Sequence, residues 1–168
     1  SCSICGTGKT SDVGQSVCLA CLPGEKLVGS TCVACSAGKY SGIGATTCTP
    51  CEAGRYQSVP GQASCTTCPV GTHGAEEGKT SAKLACYDCT VGKYSAALGA
   101  PKEANCNPCA AGSHGTHPRS NSSEVGCASC RVGRYGAKSG VASADECIAC
   151  EQGSFQDEAG QVSCKPAT

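Results

Sequence analysis

The 168-residue chain has no tryptophan, no methionine and a single phenylalanine. Phe, Leu, Ile and Val together number 20 (1, 5, 3 and 11), too little apolar material for a core in a chain of this length. Such a chain stays disordered unless cross-links or metals hold it. It also lacks charge of one sign. Thirteen basic and 13 acidic residues are mixed along it, and the formal net charge is zero. No basic stripe exists to neutralise phosphates, which argues against a nucleic-acid role. No apolar run approaches the ~20 residues that span a bilayer. There is no initiator Met and no signal-peptide pattern at Ser1, so the sequence reads as a mature chain or an excised part of a longer one.

Cysteine and glycine are what the chain has in quantity, 19 and 23 residues. That cysteine density belongs to a disulfide scaffold and places the chain in an oxidising compartment, secreted or on a cell surface. Eighteen of the cysteines form Cys-x-x-Cys pairs, from Cys2/Cys5 to Cys147/Cys150; Cys164 stands alone, with Ala167 where its partner would be. Three residues after the second cysteine of every pair comes glycine: Gly8, Gly24, Gly38, Gly54, Gly71, Gly92, Gly112, Gly133 and Gly153. A period repeated nine times marks a repeat array. Glycine suits this place because a chain leaving a cross-link must turn at once, and glycine accepts positive φ without a Cβ clash. Two residues further lie Thr10, Lys26, Tyr40, Tyr56, His73, Tyr94, His114, Tyr135 and Phe155, a slot that reads as small local cover for the cross-links. Four repeats end on Gly-x-x-x-Cys, at Gly14, Gly44, Gly61 and Gly160.

A second period of 41 residues joins "CPVGTHG" at Cys68 to "CAAGSHG" at Cys109, and "CTVGKY" at Cys89 to "CRVGRY" at Cys130. Residues 68–108 and 109–149 are therefore a two-repeat block used twice. No Pro/Ser-rich linker interrupts the chain, so residues 1–168 read as a single continuous array. We expect "GKYS", "GRYQS" and "GSFQ" to form short strands that pair with the "TTC" or "QVSC" end of the same loop. The loop "GAEEGKTSAKLAC" has room for one helical turn, and no segment carries helical periodicity long enough to stand alone.

Repeated Cys-x-x-Cys is also the mark of zinc ribbons. Nine pairs cannot be partnered evenly, however, and the glycine register belongs to every repeat, not to alternate ones. A c-type haem site needs His directly after the pair, and no pair has one. A thioredoxin-like role needs a βαβ context and one reactive pair, not nine. If instead each second cysteine opens a repeat and the next pair's first cysteine closes it, nine bridges follow. They are Cys5–Cys18, Cys21–Cys32, Cys35–Cys48, Cys51–Cys65, Cys68–Cys86, Cys89–Cys106, Cys109–Cys127, Cys130–Cys147 and Cys150–Cys164. Cys164 then closes the last repeat, and Cys2 is left unpaired or intermolecular. Spacing alone does not fix connectivity, so the pairing stands as an expectation beside a minor zinc alternative.

The units "CSAGKYSGIGATTCTPC", "CEAGRYQSVPGQASCTTC" and "EQGSFQDEAGQVSCKP" resemble ephrin-receptor-like cysteine-rich repeats. They are similar also to the first module of tumour-necrosis-factor-receptor repeats, which has one bridge and a Cys-x-x-Gly-x-[Tyr/Phe] start. The likeness is weakest at "CLPGEKLVGSTCVAC", which is short and lacks the ring. The resemblance implies extracellular proteins and carries no catalytic residues.

Other signals are weak. "GTGKT" and "EEGKTS" fail as phosphate loops, because Ser3 and His73 stand where the first glycine must be. His73 and His114 occupy the ring slot, which fits packing better than metal binding, and His117 is isolated. Asn121-Ser122-Ser123 is a sequon for N-glycosylation in the loop "HPRSNSSEVG". The expected fold is a small disulfide-rich one: an elongated linear stack of about nine one-disulfide units with short β-hairpins and almost no helix, each unit touching only its neighbours. The expected function is a non-enzymatic extracellular structural repeat, a rod or filament block, with a ligand-binding ectodomain as the alternative. No cofactor, metal, nucleic acid or membrane span is expected in it. Partners would be further copies, head to tail, or other extracellular proteins, with possible glycans.

Overall fold

The computed structural model describes Thr7, Lys9–Thr10 and residues 19–167. Cys2, Cys5 and Cys18 lie outside these residues, and with them the Cys5–Cys18 pairing and the unpaired Cys2. Backbone contacts divide the chain into two compact units. The first runs to Cys68 and includes Ala75–Cys86; the second takes Pro69–Gly74 and continues from Tyr87.

The chain is a disulfide-rich repeat stack. Eight bridges tie the described cysteines. The first unit holds Cys21–Cys32, Cys35–Cys48, Cys51–Cys65 and Cys68–Cys86. The second holds Cys89–Cys106, Cys109–Cys127, Cys130–Cys147 and Cys150–Cys164. Loop spans run from 11 residues at Cys21–Cys32 to 18 at Cys68–Cys86. Constraining loops of this size in the unfolded chain is worth about 3 kcal/mol each, the stabilisation that a chain with so few apolar side chains needs. The opening cysteines Cys21, Cys35, Cys51, Cys68, Cys89, Cys109 and Cys130 are at most 1 % exposed. With Ala85, Ala100 and the closing Cys106 and Cys147, they rather than the rings form the core.

Each repeat is one antiparallel hairpin. In the first unit β1 (Lys9–Thr10) pairs with β2 (Leu19–Ala20), β3 (Glu25–Val28) with β4 (Thr31–Ala34), β5 (Lys39–Tyr40) with β6 (Thr49–Pro50), and β7 (Arg55–Tyr56) with β8 (Thr66–Thr67). In the second, β9 (Thr72–His73) pairs with β10 (Tyr87–Asp88), β11 (Lys93–Tyr94) with β12 (Asn107–Pro108), β13 (Ser113–Gly115) with β14 (Cys127–Ser129), β15 (Arg134–Tyr135) with β16 (Ile148–Ala149), and β17 (Ser154–Phe155) with β18 (Lys165–Pro166).

In the hairpins that begin at "GKYS", "GRYQS" and "GSFQ" the first strand stands where the sequence places it, but its partner does not. Tyr40 pairs with Thr49 and Tyr56 with Thr66, so the returning strand is the interior of the next Cys-x-x-Cys pair, not the "TTC" before it. The backbone explains the shift. The amide of the next opening cysteine donates to the turn glycine's carbonyl, as from Cys51 to Gly38 and from Cys130 to Gly112 (both 2.8 Å). This fixes the register one step beyond the bridge. Ala167, in the place of a cysteine, donates to the Gly153 carbonyl at 2.9 Å in the same way.

The longer loops carry single helical turns just before their closing cysteines: α1 (Ala82–Ala85), α2 (Ser123–Gly126) and the 3₁₀ turns Glu103–Asn105 and Ala144–Glu146. The Ser122 hydroxyl caps α2 by accepting from the Val125 amide. Ser143 and Glu146 form a capping box on the last turn. The turn expected in "GAEEGKTSAKLAC" is α1.

Two measurements check the covalent frame. Non-reducing peptide mapping is expected to recover the peptide containing Cys51 linked to that containing Cys65; a Cys48–Cys51 link would refute the arrangement. Reduction is expected to abolish the folded circular-dichroism signal in one transition, since little apolar packing remains to resist it.

Candidate functional site

The best-formed recess, in the first unit, is a shallow one lined by Tyr40, Glu52, Arg55, Ser64 and Cys65. Among the described residues no group of three His, Cys, Asp or Glu side chains is placed to hold a metal. All cysteines from Cys21 to Cys164 are in bridges, so the zinc alternative has no thiolate ligands left there. The feature built with repeated geometry is the seam between successive repeats.

The seam starts from the turn glycine. The residue after that glycine donates to the carbonyl three back, as from Lys39 to Ser36 (3.2 Å) and from Arg55 to Glu52 (3.0 Å). This closes a β-turn whose third residue has φ near +80°: Gly38 at 81° and Gly54 at 80°. That is the type II position, where glycine is favoured. The turn aims the glycine N–H out of its own repeat and into the next. Gly24 donates to Ser41 (2.9 Å), Gly38 to Gln57 (2.7 Å), and in the second unit Gly71 to Ser95 and Gly133 to Gln156 (both 2.7 Å).

Two more rungs complete the seam. The amide three residues after the turn glycine donates onward, as from Gln57 to Lys79 (3.0 Å) and from Ser95 to Ser120 (3.0 Å). In return, a second turn in the following repeat donates to an opening cysteine's carbonyl. Gly61 reaches Cys35 (2.8 Å), Gly78 reaches Cys51 (2.7 Å), and Gly140 reaches Cys109 (2.8 Å). These second-turn residues also have positive φ: Gly44, Gly61 and Gly78 in the first unit, and Gly99, Arg119, Gly140 and Gly160 in the second. Arg119, at φ 57°, is the one described non-glycine residue in that region; it donates to Cys89 at 2.9 Å as the glycines do.

Gly-x-x-x-Cys spacing identifies only some of these. Counted forward from the opening cysteine the rule is plainer: ten residues separate Cys51 from Gly61, Cys68 from Gly78, Cys89 from Gly99, Cys130 from Gly140 and Cys150 from Gly160. The extra residues of the long loops all enter after this turn.

The turn glycines also face the repeat two places on. A Cβ on Gly24 would overlap the Gly61 carbonyl, one on Gly38 the Gly78 carbonyl, and one on Gly112 the Gly160 carbonyl. This corrects the expectation that each repeat touches only its neighbours. The missing side chain leaves room for the backbone of the second-next repeat, a contact that a bulkier residue excludes.

Side chains reinforce the loops. Gln57 is 9 % and Gln156 5 % exposed. The Gln57 amide donates to the Ser64 carbonyl (2.8 Å), and its Oε1 accepts from the Val59 amide (3.1 Å). Gln156 repeats this with Ser163 and Glu158 at the same distances. The sequence reading missed both, although "RYQSVPGQASC" and "SFQDEAGQVSC" align their glutamines. The ring slot is less buried. Tyr40, Tyr56, Tyr94, Tyr135, His73 and His114 are half-buried and Phe155 is exposed; the His73 and Tyr87 rings lie 5.9 Å apart. His117 and Asn121 are exposed on their loop.

Ion pairs lie at the surface. The Lys93 ammonium donates to Glu103 (2.8 Å) and holds that carboxyl below its ordinary range. Lys165 does the same for Asp157 (2.7 Å), and its own titration is raised in return. A lowered carboxyl stabilises the fold above its ordinary range and loses that contribution as pH falls through its folded value. Because these groups are exposed, acidification from pH 7 to about pH 3 is expected to shift the thermal midpoint only slightly; collapse over that range would mean that the pairs hold the fold.

The seam makes a sharper prediction. Gly112 and Gly153 both have φ 85°, but a Cβ at Gly153 meets nothing within 4 Å. Gly153→Ala is expected to cost the backbone strain alone, about 1–2 kcal/mol. Gly112→Ala adds the clash with the Gly160 carbonyl and should lower the urea midpoint clearly further; equal midpoints would remove the second-next contact from the account. Gln57→Ala, which strands two backbone groups, should cost about 1–3 kcal/mol by the same assay.

No curated protein shows a significant match to this sequence. The family model described as tyrosine-protein kinase ephrin type A/B receptor-like matches residues 38–84 and 136–166, the segments that contain the glutamine-braced loops of Gln57 and Gln156. The chain is thus a cysteine-rich repeat protein whose residues 38–84 and 136–166 are similar to the ephrin-receptor-like family.

Proposed function

We propose that the chain is a non-catalytic structural module that works outside the cell, as a spacer or filament block of a surface or secreted assembly. The seam is the observation that carries this reading. Within each compact unit the repeats are joined by backbone hydrogen bonds that need no particular side chain, so the array propagates rigidity while leaving its surface free to vary. The bridges fit an oxidising compartment, and no described helix is long and apolar enough to cross a membrane. Head-to-tail contacts between copies, which a propagating filament requires, are part of the proposal. So is Cys2, as a cross-link to a neighbouring chain or to an upstream segment.

The family match favours a second reading, a receptor-type ectodomain that binds a protein ligand. The long loops, such as the exposed 116–119 stretch before Ser120, are where contacts would fall. Electron microscopy of the native material separates the two. Regular polymers that dissociate on reduction are expected for the structural module; isolated, uniform particles would move the assignment to the ectodomain.

A further inference from the structure

We propose that Asn121 carries an N-linked oligosaccharide, attached before the Cys109–Cys127 bridge closes. The chain has three asparagines, and their settings differ. Asn105 is followed by Cys106 and Asn107, its side chain is half-buried, and its Oδ1 is buried without a hydrogen-bond partner. Asn107 precedes Pro108. Asn121 alone has a hydroxyl residue at the second position after it, Ser123, with Ser122 between. Asn121 and Ser123 are both exposed. At the equivalent place 41 residues earlier the 68–86 repeat has Thr80-Ser81-Ala82, so the acceptor is specific to one copy of the duplicated block.

The loop holds the asparagine outward. On one side Ser120 is 3 % exposed, its hydroxyl on the His117 carbonyl at 3.0 Å, and its own carbonyl accepts from the Ser95 amide. On the other, Ser122 is extended and caps α2, whose first residue is Ser123. Asn121 lies between two anchored neighbours, so a glycan there projects from the loop and displaces none of the packing.

The same anchoring sets the order of events. A transferase must draw the acceptor into its own site, and the folded loop is fixed by Ser120, by α2 and by a bridge spanning 18 residues. Transfer therefore takes place on the open loop. In it the Asn121 carboxamide nitrogen bonds to the anomeric carbon of a lipid-diphosphate-linked oligosaccharide. The bond from that carbon to the diphosphate breaks, the diphosphate leaves with the electron pair, and the amide gives up one proton.

The inference rests on the extracellular reading, since only a chain entering the secretory route meets this donor. The test is secretion of the 168-residue chain from a eukaryotic cell, with intact mass read before and after an amide-cleaving glycosidase. A mass increment that the glycosidase removes, absent in Asn121→Gln and in Ser123→Ala but kept in Ser122→Ala, is the expected result. A secreted, disulfide-bonded chain at its bare mass overturns the site; failure to appear in the medium as a bridged chain overturns the extracellular reading instead. For the order of events, glycosylation is read in cell-retained Cys109→Ser/Cys127→Ser protein, which need not fold. Occupancy at least equal to the parent's is expected, and its loss would refute transfer on the open loop.

Discussion

Everything in this molecule depends on how closely one backbone can approach another. A turn glycine such as Gly38 or Gly112 directs an N–H across the seam and leaves space for a carbonyl from the second-next repeat. A domain of ordinary composition excludes water with apolar side chains; here few exist, and the opening cysteines from Cys21 to Cys130 are among the most buried residues. Disulfides confine each loop, and glycine turns let the confined loops stack. Neither suffices alone. Bridges without the seam would give a string of separate loops, and the seam without bridges would not repay the entropy of ordering so polar a chain.

Much of this was legible in the sequence because the demands are local and periodic. The offset from opening cysteine to turn glycine reports a φ requirement met at every described turn glycine. What was not legible is who occupies the space beside that glycine. A positive φ and a close approach leave the same residue in the sequence, and only coordinates separate them. The hairpin partner was misplaced for a related reason. "TTC" and "QVSC" have strand-like side chains, whereas the true returning strand, such as Asn107–Pro108 or Lys165–Pro166, is chosen by the cysteine amide and not by side-chain propensity. Arg119 hid one second turn by standing where the other repeats use glycine. Gln57 and Gln156 were passed over because a lone glutamine in a polar loop carries no signal until its two backbone partners are seen.

The 116–127 loop collects the departures from the common pattern. It has the arginine at positive φ, the sequon and a capped helical turn, while its seam contacts through Arg119 and Ser120 match those of the other repeats. Departure is concentrated where the seam imposes nothing.

That segregation bears on how such arrays diversify. Between the second turn and the closing cysteine the chain is longer by a helical turn in four repeats, yet the second turn lies ten residues from the opening cysteine in repeats of both lengths, as at Gly61 and Gly78, and nine at Gly44. Length thus varies by several residues in one interval and by a single residue between the opening cysteine and these second turns. A lineage could lengthen, shorten or exchange that interval in one repeat without retuning its neighbours, so novelty accumulates as cargo on an unchanged chassis, one position at a time.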